Sequence, residues 1–266
     1  MLRARFATAA AAIPLLLAII LYGPAWLFAV VVGVLAILGV AEYAGIAFPT
    51  RPADRALNMG LGTALVLGMA LPNRTHTLLG AVLAGIVAVG LTWTVLLRRD
   101  FEAGLHDFGL SLIGIFYTGL LLPHFIWLHG LAHGPLWVIF VLLVCMAGDT
   151  GGYAVGHALG RHKLAPRISP GKTIEGSIGI VLASLLAGAL AQLVFLPQRS
   201  WTEVMTLSVA ISILGQLGDL SESIMKRTFG VKDSGWLFPG HGGILDRTDS
   251  LLFPVTFLYY YLSCRQ

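Results

Sequence analysis

The sequence predicts an all-α, polytopic integral membrane protein with about nine transmembrane helices and a cytoplasmic N-terminus. Of its 266 residues, 57% are hydrophobic and only 11% are Asp, Glu, Lys or Arg, and the mean hydropathy is +0.84. Long runs without any charged residue recur along the chain, which is typical of segments that cross a bilayer. This composition excludes a soluble two-domain protein.

Apolar runs of spanning or near-spanning length are separated by Gly, Pro or charged residues. They cover approximately residues 7–22, 25–47, 57–71, 77–97, 108–128, 135–158, 175–196, 203–226 and 247–263. The third and ninth runs are short for a hydrocarbon core about 30 Å thick. Length alone therefore leaves a choice between eight and nine spans.

The distribution of basic residues favours nine spans. With that number, only Arg74, Arg199 and Arg265 of the 17 Lys and Arg residues lie on one side of the membrane. The other side carries Arg3, Arg5, Arg51, Arg55, Arg98, Arg99, Arg161, Lys163, Arg167, Lys172, Lys226, Arg227, Lys232 and Arg247. Because Lys and Arg accumulate on the cytoplasmic side, the N-terminus is predicted to lie inside the cell and the C-terminus outside.

The chain divides by composition into two regions of one membrane-embedded unit, with no separate soluble domain. Residues 1–130 are predicted to form scaffold spans, and residues 131–266 contain most of the polar side chains. Glu42 is an exception within the second span, where an unpaired charge costs roughly 2.5 to 3.5 kcal/mol. We therefore expect Glu42 to have a partner or to face a water-filled cavity, in either a structural or a catalytic role.

A first polar cluster runs from the end of the sixth predicted span to the start of the seventh. Its candidate binding residues are Asp149, Lys163, Ser169, Lys172, Thr173 and Glu175. Ser169 precedes Pro170, a turn signal, and the backbone N–H groups that open the next helix can bind an anion such as phosphate. Asp149 and Glu175 at helix ends would need a cation, a hydrogen-bonding ligand, or a nearby lysine. The alternative is a basic loop that only fixes the topology.

A second polar cluster occupies residues 219–249. Asp219, Glu222, Ser223 and Lys226 fall at i, i+3, i+4 and i+7, so they share one face of a helix. Charged groups at this spacing in an apolar helix predict a water-accessible cleft on the cytoplasmic side, since lipid exposure would be unfavourable.

The glycine-rich segment 239–243 can present backbone N–H groups to an anion, because its residues carry little side-chain bulk. Asp246 and Asp249 follow at i and i+3. Together with Asp219 they supply the hard oxygen ligands that Mg²⁺ prefers, and the ion completes its shell with substrate phosphates and water. Four basic residues can neutralise the phosphates: Lys226, Arg227, Lys232 and Arg247.

These residues resemble the signature of the phosphatidate cytidylyltransferase family, also called CDP-diacylglycerol synthase. The signature reads here as Ser223, Lys226-Arg227, Lys232-Asp233, His241-Gly242-Gly243 and Asp246-Arg247-Thr248-Asp249. The upstream elements beginning at Asp149 and Ser169 also look like the family's, so the close resemblance covers residues 146–253. The N-terminal spans match in hydropathy alone.

The resemblance implies that CTP and phosphatidic acid react to give CDP-diacylglycerol and pyrophosphate, with Mg²⁺ and a second, monovalent cation such as K⁺. It also implies a homodimer in a bacterial-type inner (plasma) membrane, with the active site on the cytoplasmic side and no nucleic-acid partner. On this hypothesis Asp219 and Asp246 hold the metal, with Asp249 as a further ligand or its support. Lys226 and Arg227 bind lipid or triphosphate charge. Contacts to substrate are expected from both clusters: Asp149, Lys163, Ser169, Lys172, Thr173, Glu175, Glu222, Ser223, Lys232, His241, Gly242, Gly243 and Arg247.

Two other functions are compatible with intramembrane carboxylates. A membrane transporter or channel would use them in an ion pathway, but it predicts broken helices in two related halves, whereas both polar clusters lie in the C-terminal half. A CTP-dependent lipid-alcohol kinase would share the nucleotide, and its product would lack the CMP group. We expect the two clusters to form the two sides of one phosphate and metal cleft.

Overall fold

The computed structural model describes residues 14–71, 75–98, 100–235 and 242–265, and these are mainly helical. Residues 14–22 belong to the first helix, α1. The remaining helices are α2 (Ala25–Ala47), α3 (Pro52–Ala70), α4 (Thr75–Leu97), α5 (Phe101–Gly114), the π-helix π1 (Ile115–Leu120), α6 (His124–His129), α7 (Gly134–Leu159), α8 (Ile174–Val194), α9 (Trp201–Thr228) and α10 (Leu245–Ser263). Arg3, Arg5, Arg74, Arg99 and His241 lie outside the described residues.

The chain is a helical, multi-pass membrane protein, as its composition predicts. Within the described ranges, six helical stretches are long and apolar enough to cross a membrane: Ala25–Ala47, Leu78–Leu97, Phe101–His129, Gly134–Leu159, Ile174–Val194 and Trp201–Thr228. Helices α3 and α10 fall outside this set, and α10 has three charged residues near its start. The count of nine spans and the orientation of the N-terminus stay predictions.

One short antiparallel hairpin departs from the purely helical expectation. Its strands are β1 (Lys163–Ala165) and β2 (Ser169–Thr173), with Lys163 paired to Thr173 and Ala165 to Ser169. Pro170 and Gly171, the expected turn signals, lie within β2 itself. The hairpin joins α7 to α8 and carries most of the first polar cluster.

Local sequence explains where several helices begin. Pro52 opens α3 at a position where a missing N–H is tolerated. The Asp100 carboxylate accepts hydrogen bonds from Glu102 N at 3.0 Å and Ala103 N at 3.2 Å, and so caps α5. Thr173 caps α8 in the same way, since its Oγ1 accepts from Gly176 N at 3.0 Å.

The described chain forms two compact units that do not follow the predicted division at residue 130. The first unit comprises the described parts of Met1–Val31, Phe125–Gln216 and Phe253–Gln266, and the second comprises those of Val32–His124 and Leu217–Leu252. The second unit therefore contains both scaffold helices and the 219–249 cluster. The roles predicted for residues 1–130 and 131–266 stay predictions.

In the first unit, α7 and α8 pack at close range through glycine. A Cβ built on Gly151 would overlap the Ala183 side chain, and one built on Gly179 would lie 2.7 Å from Val155 Cβ and 2.9 Å from Gly151 O. Contacts this short leave no room for a side chain, so small residues set the distance between the two helices. The same helix pair ends at the hairpin and thus positions the first polar cluster.

In the second unit, a half-buried ion-pair network joins α3, the end of α4 and the middle of α5. Arg51 bonds both carboxylate oxygens of Asp107, and Arg98 bonds Asp54. Trp93 Nε1 also donates to Asp54 Oδ1 at 2.9 Å. The hydrogen bond to Asp107 is the main reason that the pKa of Arg51, which precedes α3, is raised. These contacts compensate the charges of four polar residues within the predicted scaffold.

Candidate active site

The acidic side chains of the second cluster surround a close crossing of α9 and α10. A Cβ on Gly218 would overlap the carbonyl oxygen of Asp249, so the two backbones nearly touch there. Gly218 directly precedes Asp219, and Glu222 follows one helical turn later on α9, so these two acidic residues and Asp249 belong to the same region. We call Asp219, Glu222 and Asp249 the acidic cluster. Asp219 and Glu222 come from α9, where the i, i+3 spacing predicted that they share one face, and Asp249 comes from α10.

Tyr117 is part of the same crossing and was not singled out from the sequence. Its hydroxyl donates to Gly218 O at 2.9 Å, and its ring is buried. Tyr117 lies in π1, and π-helical turns are frequent at functional sites. A residue of the predicted scaffold thus fixes the backbone directly before Asp219.

Lys226 bridges two carboxylates in the second unit. Its Nζ lies 2.5 Å from Glu222 Oε2 and 2.6 Å from Asp246 Oδ1. The side chains of Glu222, Asp246 and Lys226 are 2%, 12% and 15% exposed, so this ion bridge is largely desolvated. One ammonium group is shared by two carboxylates, and the set keeps a net negative charge when all three groups are ionised.

Asp246, in the first turn of α10 and outside the six candidate spans, is held by a dense set of donors. Its Oδ2 accepts from Ser234 N at 2.9 Å, Ser234 Oγ at 2.8 Å and Gly243 N at 2.8 Å. Burial raises the pKa of the Asp246 carboxyl. The ammonium of Lys226 and the donors from Ser234 and Gly243 together lower this pKa by more, so it lies below its usual range. Asp246 is therefore an ionised group with a fixed orientation.

Glu42 reaches the same region from α2. Its Oε2 accepts from Ser234 Oγ at 3.2 Å and from Leu245 N at 3.1 Å. The partners that the sequence required are therefore neutral donors, the Ser234 hydroxyl and the N–H that opens α10. The pairing was predictable from the cost of an intramembrane charge, but its partners, 192 and 203 residues away, were not.

The acidic cluster has the donor chemistry for a divalent cation. No group of three or more His, Cys, Asp and Glu residues within the described ranges forms a ready-made metal site. Mg²⁺, however, is usually bound through one or two carboxylates, with phosphates and water filling the remaining positions. Asp219 and Asp249 meet this requirement. Asp246 is less available, since its Oδ2 already accepts three hydrogen bonds and its Oδ1 bonds Lys226.

The remaining predicted residues of the second cluster differ in exposure. Ser223 is buried on α9, whereas Arg227, Lys232 and Arg247 are exposed. Gly242 has a φ of +79°, a conformation that favours glycine. Gly243 is buried and donates to Asp246. His241 lies outside the described residues.

The first cluster forms a separate set of contacts in the first unit. Glu175 accepts from His162 Nδ1 at 2.6 Å and from the backbone N–H groups of Arg161 and His162 at 3.1 to 3.3 Å. Its partner is thus His162, which the sequence did not single out. A Cβ on Gly160 would lie 2.8 Å from Thr173 Cγ2, so the chain entering the hairpin packs on the α8 cap.

Other residues of the first cluster differ in their access to solvent. Asp149 and Lys163 are exposed, Ser169 and Lys172 are half-buried, and Thr173 is buried. The Thr173 hydroxyl is engaged as the α8 cap, and its oxygen accepts the Gly176 N–H. Lys163, Ser169 and Lys172 occupy the hairpin, and Asp149 lies on α7. The hairpin therefore groups the predicted anion-binding residues on a short, well-anchored element.

A helical membrane protein with clustered carboxylates, a buried lysine and glycine N–H donors has the groups needed to bind phosphates with a metal ion. The sequence model of the Cytidylyltransferase family matches residues 3–265, so the chain belongs to that family. A Bacillus subtilis (strain 168) protein named phosphatidate cytidylyltransferase is 40% identical over 174 residues, which are 65% of this chain and 64% of that protein. The aligned part is thus under two thirds of that relative's length.

Two staphylococcal proteins with the same name show a similar degree of identity to this chain. A Staphylococcus epidermidis (strain ATCC 12228) protein with the same name is 41% identical over 180 residues, which cover 66% of this chain and 67% of that protein. A Staphylococcus aureus (strain COL) protein of that name is 41% identical over 170 residues, which cover 63% of each chain.

Proposed function

We propose that this protein is a phosphatidate cytidylyltransferase, which converts CTP and phosphatidic acid to CDP-diacylglycerol and pyrophosphate for phospholipid synthesis. Its family and the names of its relatives support this activity. The observation that carries the proposal is the arrangement of the acidic cluster and the Lys226 ion bridge within one unit. It combines ligands for a cation with a positive charge for a phosphate.

In the proposed reaction, an oxygen of the phosphatidate phosphate attacks the α-phosphorus of CTP. The bond between the α-phosphorus and its bridging oxygen to the β-phosphate breaks, and pyrophosphate leaves with the electron pair. No protein nucleophile and no redox step is needed. Such a transfer depends mainly on positioning and charge neutralisation.

Within the second unit, Asp219 and Asp249 are the proposed ligands of Mg²⁺. When bound, Mg²⁺ would supply charge stabilisation to the phosphates. Lys226 and Arg227 are proposed to bind triphosphate or lipid phosphate charge, with Lys226 oriented by Glu222 and Asp246. Asp246, proposed as a metal residue from the sequence, has contacts that better suit the positioning of Lys226.

Further substrate contacts are proposed for residues of both clusters, most of them exposed or half-buried; Ser223, Gly243 and Thr173 are buried. In the second unit they are Ser223, Lys232, Gly242, Gly243 and Arg247, together with His241 beyond the described residues. In the first unit, Ser169, Lys172 and Thr173 are proposed to contact CTP phosphates, and Asp149, Lys163 and Glu175 to support substrate binding. The place of most of these residues on the short hairpin and in the first turn of α8 supports this assignment. Asp149 was expected at a helix end, but it lies inside α7, which continues to Leu159.

The proposal includes a homodimer, a second, monovalent cation such as K⁺, nine spans, and an active site on the cytoplasmic side of the inner membrane. The excess of basic residues in one set of loops supports the orientation. Labelling of single cysteines from each side of intact cells would test it: cytoplasmic positions 163 and 232 should resist an impermeant reagent, and position 199 should react.

Mass spectrometry of lipid products tests the reaction. Purified protein is incubated with CTP, Mg²⁺ and phosphatidic acid, and CDP-diacylglycerol and pyrophosphate are expected in equal amounts. Omission of phosphatidic acid is the control. A phosphorylated lipid alcohol without CMP would instead indicate a kinase, and the absence of any lipid-dependent CTP turnover by folded, metal-loaded protein would refute the proposal.

A further inference from the structure

We propose that Glu42 is a positioning residue for the transfer reaction, which holds the first turn of α10 so that Asp246 and Lys226 are correctly placed. The inference rests on the proposed function for its kinetic consequence, while its structural part can be tested without catalysis. Glu42 lies on α2, among the spans to which the sequence assigned only a scaffold role.

The Glu42 carboxylate acts as a helix cap supplied by a distant part of the chain. Leu245 is the first residue of α10, and its N–H donates to Glu42 Oε2 at 3.1 Å. The first N–H groups of a helix have no partner within the helix, and a negative charge is favourable at this end. Glu42 thus fixes where α10 starts, one residue before Asp246.

Two glycines let the chain pass directly against this carboxylate. A Cβ on Gly235 would lie 2.6 Å from Glu42 Oε1, and a Cβ on Gly243 would overlap Oε2. Neither of these two glycines has a positive φ, so close approach is the reason for glycine here. Because Gly243 N also donates to Asp246 Oδ2 at 2.8 Å, the chain that packs on Glu42 is the same chain that orients Asp246.

Ser234 connects the two carboxylates. Its hydroxyl oxygen is 3.2 Å from Glu42 Oε2 and 2.8 Å from Asp246 Oδ2. A hydroxyl has one proton and can donate to only one of them at a time, while the Ser234 N–H donates to Asp246 independently. The position of Glu42 therefore affects the hydrogen bond from the Ser234 hydroxyl to Asp246. Asp246 in turn bonds Lys226 at 2.6 Å.

The second oxygen of Glu42 faces the same segment of chain. Oε1 is buried, and a Cβ on Gly235 would lie 2.6 Å from it. Both carboxylate oxygens therefore contact the chain that leads into α10, so the position of Glu42 and the path of this chain depend on each other.

The test compares Glu42→Ala, Glu42→Gln and Gly235→Ala with the unaltered protein and with Glu102→Gln, which changes the same charge at an exposed site on α5. Glu42→Ala removes the cap. Glu42→Gln keeps an oxygen that can accept from Leu245. Gly235→Ala keeps the carboxylate but pushes it aside, since its Cβ would be 2.6 Å from Oε1.

Hydrogen exchange of the 242–250 backbone is the readout that does not depend on activity. Glu42→Ala and Gly235→Ala should raise exchange there about tenfold or more, the change expected from loss of a contact worth about 1.4 kcal/mol, while the α7 and α8 amides stay as in the unaltered protein. Glu42→Gln should be intermediate, and Glu102→Gln unchanged.

The kinetic readout is the kcat for CDP-diacylglycerol formation. In Glu42→Ala and Gly235→Ala it should fall about 10- to 100-fold, as expected for a misplaced catalytic group. The KM for CTP should change less than about threefold. Partial recovery in Glu42→Gln is expected. Unchanged exchange and kcat in Gly235→Ala would overturn the inference even if Glu42→Ala failed to fold. If the variants show the expected rise in exchange but the unaltered protein makes no CDP-diacylglycerol, only the proposed function is refuted.

Discussion

Replacement of Lys226 by Met separates the charge of the ion bridge from the volume of its side chain. Met has a similar length and no charge, so Glu222 and Asp246 lose the ammonium that lies 2.5 and 2.6 Å from them. Asp246 keeps its donors from Ser234 and Gly243. Glu222 is the more affected group, because its side chain is only 2% exposed.

The expected loss in the free energy of unfolding is about 3 kcal/mol, the lower end of the range for a broken buried ion pair. The upper end, about 5 kcal/mol, would apply if both carboxylates were left without donors. Adding Glu222→Gln to Lys226→Met removes the uncompensated charge, and it should restore about 1 to 3 kcal/mol, the usual size of coupling between residues in contact.

The assay is equilibrium unfolding in mixed micelles at fixed detergent composition, for the unaltered protein, each single variant and the double variant. Arg265→Met is the matched control, since Arg265 is 58% exposed and pairs with Glu203 at 3.0 Å. An exposed pair contributes about 0 to 1 kcal/mol, so this control should change little. A loss below about 1 kcal/mol in Lys226→Met, or no recovery in the double variant, would refute the buried ion bridge.

Three further substitutions test other parts of the structure. Tyr117→Phe removes the hydroxyl bond to the α9 backbone and should lower stability by about 1 kcal/mol, with weaker Mn²⁺ binding to the acidic cluster by electron paramagnetic resonance. Gly179→Ala should destabilise the protein by about 1 to 3 kcal/mol through overpacking of α7 and α8. Its control is Gly45→Ala, where a Cβ meets nothing within 4 Å, and this variant should not destabilise the protein in the same unfolding assay. Arg98→Ala should cost about 3 kcal/mol by breaking the half-buried network, and Arg55→Ala, at an exposed position, less than about 0.5 kcal/mol. Equal effects within either pair would contradict the packing or the network described.

The sequence predicted features that depend on nearby residues. Helical spacing alone placed Asp219, Glu222 and Lys226 on one face of α9, and in the structure Lys226 indeed lies beside Glu222. Apolar length identified most helices and separated α7 from α8, although the turn expected at Pro170 lies at 166–168 instead, with Pro170 in β2. Each of these properties is set within one or two turns of chain, where periodicity and backbone restrictions act directly.

Contacts between distant segments could not be predicted in the same way. Tyr117 and Gly218 are 101 residues apart, and Glu42 and Leu245 are 203 apart. The pairing of such residues depends on how far one helix is rotated and shifted against another. Periodicity does not fix that register, and the π1 turn changes it locally, since it adds a residue to the turn that carries Tyr117.

The way in which the second unit compensates its acidic groups explains why its functional residues are spread over distant helices. Asp54 and Asp107 each bond an arginine, so the network that joins α3, α4 and α5 is balanced within the scaffold. Glu222 and Asp246 share one lysine, and Glu42 is held by neutral donors from Ser234 and the α10 start. Negative charge is therefore concentrated around α9 and α10. An apolar environment makes such an excess unfavourable unless a cation binds, so we expect the acidic cluster to be more stable with Mg²⁺ than without it.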